Sequence, residues 1–264
     1  MLDLNHIANQ SIEAIKVVGD YIREQSRLFE TSQTEHKGKN DLVSYVDKTS
    51  EQKLVTALSK ILPQAGFITE EQTVKVDQRE YTWIIDPLDG TTNFIHGLPI
   101  YSISVALQHH DQLVLGFVYE IGKSEMFHAI KSGGAFLNGE AISCTPTVNI
   151  SDSLLATGFP YYKFDYLPQY MKLFSDLMQE SHGLRRLGSA AVDLAYVAAG
   201  RFDAFFEYNL NAWDVAGGIL LVEEAGGKCL EFNGGNDPLF GRSIIAGNAM
   251  MCEELLVAVK KVGF

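Results

Sequence analysis

Residues 213–225 are almost wholly apolar at helical length and are closed by Gly226-Gly227. A helix without a polar stripe should be buried on most sides, so the rest of the chain must supply its cover. Around it, strand and helix patterns alternate. Residues 154–159 and 202–208 read as strands, 167–180 and 190–199 as helices, 228–232 and 244–246 as further strands, and 252–262 as a last helix. Gly200 closes the small-residue helix in the usual way. Such alternation argues an α/β arrangement.

The first half is organised differently. Leu4, Ile7, Ser11, Ile15, Val18 and Ile22 recur at helical spacing. The polar stretch 31–40 reads as a mobile loop. A second helix is expected over 44–62, with Ser50, Leu54, Ala57, Leu58 and Ile61 inward and Pro63 just beyond its end. Mostly antiparallel strands follow at 66–71, 81–86, 102–108, 113–119, 125–130 and 134–137, with Asn138-Gly139 as a turn. The expectation is a mixed α/β (α+β) chain in two closely packed lobes, one over 1–142 and one over 143–264.

Composition bounds the partners. The formal charge is −12 over 264 residues, and an acidic surface repels nucleic acid and anionic membranes. It also repels a phosphorylated ligand unless basic residues, helix N-termini or metal ions stand in the site. Cys144, Cys229 and Cys252 are odd in number and widely spaced, which reads as reduced, buried thiols. The first ten residues lack the pattern of a signal peptide, and no apolar run reaches the ~20 residues of a membrane span. A cytoplasmic protein is expected.

The most informative stretch runs Trp83-Ile84-Ile85-Asp86-Pro87-Leu88-Asp89-Gly90-Thr91-Thr92-Asn93. An apolar strand ends in a carboxylate, a Pro-containing turn follows, and a second carboxylate stands three residues on. Two carboxylates held close repel each other, and Mg²⁺ relieves that while bridging to phosphate oxygens. Gly90 and the first amides of a helix at Thr91 offer N–H groups to an anion. Taken alone, such a turn is equally a helix cap. Two further acidic positions tip the balance. Phe67-Ile68-Thr69-Glu70-Glu71 is another apolar strand ending in carboxylates, and Asn211-Ala212-Trp213-Asp214 puts an Asp in the first turn of the apolar helix. A haloacid-dehalogenase pattern would need two Asp residues two apart, as in DxDGT; here the gap is three, with Pro87 between.

Together with Asp41-Leu42-Val43-Ser44, Asp47, Gly188-Ser189-Ala190-Ala191 and Trp213-Asp214-Val215-Ala216-Gly217-Gly218, these motifs span nearly the whole chain, which resembles the inositol monophosphatase family of metal-dependent phosphatases. The resemblance implies a layered αβαβα sandwich of the type shared with fructose-1,6-bisphosphatase, and a homodimer. It implies two or three Mg²⁺ ions held by Glu70, Asp86, the Leu88 carbonyl, Asp89 and Asp214. Glu70 and Thr91, with Asp47 behind Thr91, would serve catalysis. Asp89, Gly90, Thr91, Gly188, Ser189, Ala190, Glu207 and Asp214 would meet the substrate. Lys37 or Lys39 would fill the place of a loop lysine, and Thr69 departs from the small residue often found before the first glutamate. Lithium inhibition is a further implication.

The implied reaction is hydrolysis of a small phosphorylated polyol or sugar by metal-activated water in direct in-line attack. Asn93-Phe94, Gly97-Leu98-Pro99 and Glu207 look most like the inositol branch, so myo-inositol 1-phosphate stands first. Fructose 1,6-bisphosphate, histidinol phosphate and 3′-phosphoadenosine 5′-phosphate are the alternatives within the family. A protein-binding role at the transcription machinery is the alternative of another class. His109 and His110 are expected to be solvated at a turn, and His96 to be structural. Tyr161, Tyr162, Phe164 and Tyr166 are expected in a core or an interface, such as a dimer contact.

Overall fold

Asp3 accepts the His6 N–H at 3.0 Å and starts α1, Leu4–Leu28, whose buried stripe is Ile7, Ser11, Ile15, Val18 and Ile22. The computed structural model describes residues 2–29, 34–38, 41–160 and 164–264. Lys39, the side chains of Lys37, Asp41, Leu42 and Val43, and residues Tyr161 and Tyr162 lie outside the described residues.

The polar stretch after α1 contains a strand where a loop was expected. β1, Thr34–Gly38, pairs antiparallel with β2, Asp41–Ser44. Ser44 then caps α2, Tyr45–Ile61, in a capping box with Asp47.

Seven strands follow in one sheet: β3 (Gly66–Thr69), β4 (Tyr81–Asp89), β5 (Ser102–His109), β6 (Gln112–Glu120), β7 (Glu125–Ile130), β8 (Gly134–Leu137) and β9 (Glu140–Ala141). They lie in chain order, antiparallel except for the parallel pair β3–β4. A one-turn helix, α3, Thr91–Ile95, follows β4. The second sheet holds β10 (Leu154–Thr157), β11 (Gly183–Arg185), β12 (Ala204–Tyr208), β13 (Lys228–Leu230) and β14 (Ser243–Gly247), in the order β11-β10-β12-β14-β13. β11 was not expected from the sequence; it is three residues long and its period is too short to read. The helices between these strands are α4 (Leu167–Glu180), α5 (Ala190–Ala198), α6 (Ala212–Glu224) and α7 (Ala249–Lys261).

Side-chain alternation assigns the layers. Trp83, Ile85, Ile103, Val105, Leu107, Leu115 and Phe117 pack with α1 and α2 on one face of the seven-stranded sheet. Ile84, Ala106 and Val118 face the other way and share a core with α5, α6 and the near face of the second sheet. Leu155, Phe206 and Ile245 close the far side with α4 and α7. The order is αβαβα, and α6 lies in its middle, as its all-round apolar surface requires. Small residues set how close it sits. A Cβ on Gly217 would stand 2.6 Å from the Phe117 carbonyl oxygen, and one on Gly116 would stand 2.7 Å from the Gly217 carbonyl oxygen. Helix backbone therefore rests directly on sheet backbone.

One smaller reading changes. His109 is not simply solvated: its ring stacks on Tyr81 at 4.3 Å and meets Glu80 Oε1 at 3.3 Å. Phe164 packs with Tyr208 against the core, as expected, while Tyr166, against Tyr208 and Phe264, lies exposed at the rim of that cluster. The three cysteines are free. Burial pushes Cys144 up to about 11 and Cys252 up to about 12, so both stay as thiols. No helix among the described residues is long and apolar enough to cross a membrane.

Candidate active site

The strand through Trp83 does not stop at Asp86, as the Pro-containing turn suggested. β4 continues to Asp89 across a bulge, with Asp86 opposite Ser104 and Asp89 opposite Ser102 on β5. Pro87 has no N–H to give to the ladder, and a bulge is one of the few places a strand tolerates it. The extra residue has a geometric result. In a regular strand, residues three apart face opposite ways; here Asp86 and Asp89 oppose two serines that share a face, so both carboxylates turn toward α5 and α6. Leu88 N–H donates to Asp86 Oδ1 at 2.9 Å and tightens the bulge.

Three other elements bring acids to the same end of the sheet. Glu70 follows β3, and its N–H donates to the Ile85 carbonyl at 3.2 Å. Its carboxyl lies against that of Asp86, and both its charge and its hydrogen bonding favour the protonated form of Asp86. Asp214 is the third residue of α6 and accepts the Asn211 N–H at 2.6 Å. Ser104 Oγ donates to the Trp213 carbonyl at 3.1 Å and ties the start of α6 to β5. Glu207 lies on β12, and a Cβ on Gly158 would overlap its carboxylate, so a glycine there leaves it room.

This crowding holds protons. Burial, then the charges of Glu70, Asp89 and Asp214, push Asp86 well above the usual carboxylate range. Burial raises Asp89 to about 6 against the opposing pull of Ser189, Ala191 and Arg186. Asp214 is raised to about 7, mainly by burial and partly by Asp89. Glu207 is raised to about 8 by burial, Asp214 and Asp89. Buried carboxyls that cannot all ionise alone fit divalent cations, which would replace those protons. The ligand set is all oxygen, which suits Mg²⁺ over softer metals. Glu80, His109 and His110 also bring ligand atoms within 4.8 Å of one another. That group lies at the opposite end of β4 and β5, and its imidazoles do not suit Mg²⁺.

A pH dependence follows with a definite sign. Unfolded, these carboxyls ionise near the ordinary value of about 4. Folded without metal, they keep their protons to higher pH, so the native state binds more protons between those limits. Stability therefore falls as pH rises from about 4 toward 8. In EDTA the melting temperature should be lower at pH ~8 than at pH ~5.5, and Mg²⁺ should narrow the gap. A metal-free melting temperature that climbs over this interval would contradict the crowding.

Thr91 stands beside the acids. Its hydroxyl lies 2.9 Å from the Leu88 carbonyl oxygen and 2.8 Å from Asp47 Oδ1. Asp47 is fully buried at the start of α2, and its Oδ2 accepts Ser44 N–H at 2.8 Å and Ser44 Oγ–H at 2.6 Å. Gly90, with φ +95°, makes the left-handed turn that releases β4 into α3. That helix is a single turn, so any help to an anion comes from its first amides rather than from an accumulated dipole.

The facing wall is the start of α5. Ser189 Oγ donates to Asp89 Oδ2 at 2.6 Å, and Ala191 N–H donates to the same oxygen at 2.7 Å. Asn93 Nδ2 donates to the carbonyls of Ile100 (2.7 Å) and Leu187 (2.8 Å), joining α3 to the segment that carries Gly188, Ser189 and Ala190. The structure thus gathers Asp47, Glu70, Asp86, Leu88, Asp89, Gly90, Thr91, Gly188, Ser189, Ala190, Glu207 and Asp214 at one place between the two sheets. Arg186 was missed. Its charge opposes the rise at Asp89 and Glu207, and its guanidinium lies over the Phe159 ring. An acidic chain that handles phosphate needs a cation, and Arg185-Arg186 just before Gly188-Ser189 was the available signal.

A layered fold with an acidic oxygen cluster at the seam between its sheets has the donor set of a divalent-cation site. The sequence model of the inositol monophosphatase family matches residues 3–262, and the chain belongs to that family. It is 38% identical over 256 residues to the inositol-1-monophosphatase of Mesorhizobium japonicum, covering 97% of this chain and 96% of the other. It is 37% identical to the Nus factor SuhB of Escherichia coli K12, covering 97% of each. The crystal structure of the extragenic suppressor protein suhB from Bartonella henselae superposes with a TM-score of 0.91 at 38% identity, covering 97% of this chain and 98% of that one.

Proposed function

We propose that the chain hydrolyses a small phosphate monoester, with myo-inositol 1-phosphate as the first candidate. One observation carries the reading: the charges of Glu70, Asp89 and Asp214 all bear on buried Asp86, beside a threonine hydroxyl backed by a buried carboxyl. Mg²⁺ bound there would lower the pKa of a coordinated water and offset charge on the leaving oxygen. Glu70, Asp86, the Leu88 carbonyl, Asp89 and Asp214 would hold it, in two or three positions. Thr91 would orient the attacking water, and Asp47 would fix the direction of the Thr91 hydroxyl. The amides of Gly90 and Thr91 would hold phosphate oxygens. Gly188, Ser189, Ala190 and Glu207 would face the hydroxyl groups of the alcohol, and Arg186 would supply the positive charge that the acidic surface lacks.

The test is phosphate release with Mg²⁺ from inositol 1-phosphate, fructose 1,6-bisphosphate, histidinol phosphate and 3′-phosphoadenosine 5′-phosphate in parallel. Release from the first alone, abolished by EDTA and reduced by millimolar lithium, is expected. Release from another member of the panel keeps the reaction and moves the substrate. No release by folded protein that binds Mg²⁺ would favour a protein-binding role, to which the Nus factor name of a relative points.

A further inference from the structure

Glu51 stands one helical turn after Asp47 on α2, and it is fully buried. Glu and Lys are the ordinary solvent-facing residues of a helix, so a completely buried Glu needs partners. Among the described residues four donors reach it, one from the end of β3 and three from the segment that follows. Thr69 Oγ–H reaches Oε1 at 3.0 Å, Thr73 N–H reaches it at 2.7 Å and Thr73 Oγ–H at 2.6 Å. Glu71 N–H reaches Oε2 at 2.7 Å. These bonds bracket Glu70 on both sides. Thr69, whose side chain is not needed in a metal shell, is thereby accounted for as a donor to Glu51.

We infer that Glu51 is a positioning residue for Glu70, and that α2 acts as a rigid spacer between the two halves of the site. Residues four apart on a helix share a face. Asp47 sets the Thr91 hydroxyl, and Glu51 sets the strand end that carries Glu70. Four residues of helix, about 6 Å of rise, thus set the spacing of the two carboxylates that stand behind the residue read as orienting water and the residue read as holding metal. The inference rests on that reading of Glu70.

Glu51→Gln tests it. Gln keeps the shape and can keep three of the four bonds by placing its oxygen where Oε1 stands. Its NH₂ then faces the Glu71 N–H, donor against donor. Mg²⁺ binding, measured by calorimetry without substrate, should weaken by about tenfold or more, the range for groups that orient a ligand from behind. The Glu71 amide should also exchange its hydrogen faster in metal-free protein. Leu54→Val, a buried apolar change one turn further along α2, is the comparison: it should lower the melting temperature and leave Mg²⁺ affinity unchanged. Should Glu51→Gln not fold, Thr69→Val removes one donor only and should weaken Mg²⁺ binding in the same direction by less than about tenfold. Glu51→Gln that binds Mg²⁺ as wild type does overturns the inference. So does a loss of affinity in Leu54→Val that matches it at equal loss of stability. Wild-type protein that binds no Mg²⁺ would instead remove the metal-centre reading, and this inference with it.

Discussion

Asp86→Asn is expected to cut phosphate release by more than about 10²-fold, the loss seen when only a group behind a metal ligand is removed, and to raise the stability of the metal-free protein toward high pH. Both effects have one origin. Asp86 is the residue on which the charges of Glu70, Asp89 and Asp214 converge. If Asp86 bridges two metal positions, as proposed, the change weakens both. Without metal, Asp86 is a neutral acid at low pH, so the melting temperature in EDTA should hardly change near pH ~5.5; toward pH ~8 Asn cannot be forced to ionise, so the variant should melt higher than wild type there and its decline with pH should flatten. Such opposition between stability and activity is common where a site is built strained. Near-normal turnover in the variant would show that Asp86 is not the bridge. An unchanged melting temperature at pH ~8 with lost turnover would keep the ligand role and dismiss the crowding.

Thr91→Val should lower kcat by about 10²-fold or more, within the range for removing a group that handles a proton at the reacting atom. Val keeps the shape and loses the hydroxyl. Mg²⁺ affinity should hardly move, because the ligand set is intact. Asp47 Oδ1 loses its donor in a buried place, so stability should fall by about 1–3 kcal/mol. Asp47→Asn offers a sharper contrast. Ser44 gives both its donors to Oδ2, so the amide nitrogen must take the other position and donate toward Thr91. The hydroxyl stays in place while its proton is forced toward the Leu88 carbonyl. Steady-state kinetics on the two variants separates presence of the hydroxyl from its direction. A Thr91→Val enzyme with normal kcat would remove Thr91 from the reaction.

What could be read in advance followed from strong local signals. The apolar helix had no face for water, so its central place in the layers was forced. The acids at 86 and 89 were close enough in sequence to be related by eye. The bulge was not legible, because a proline after a carboxylate marks a turn and a bulge equally well, and only pairing with Ser102 and Ser104 decides between them. β1 is polar throughout, without the alternation that betrays a half-buried strand. Glu51 was passed over for the opposite reason. Periodicity counts a glutamate in a helix as solvent-facing, and nothing near it in sequence announces donors eighteen to twenty-two positions away. Arg186 was hidden likewise, since its relation to Asp89 and Glu207 exists only after the second sheet is laid against the first.

The site draws on α2, β3, β4, α5, β12 and α6, so its residues run from Asp47 to Asp214 with no fragment holding them all. Contacts so distant in sequence form late and slowly, after the loops between them have closed. A cation held in this site therefore meets a chain that has already finished folding. It cannot act as a nucleus, and its stabilisation should appear as a slower unfolding rate rather than a faster folding one. For such a chain the metal would act as a lock set after assembly, guarding the native state's lifetime.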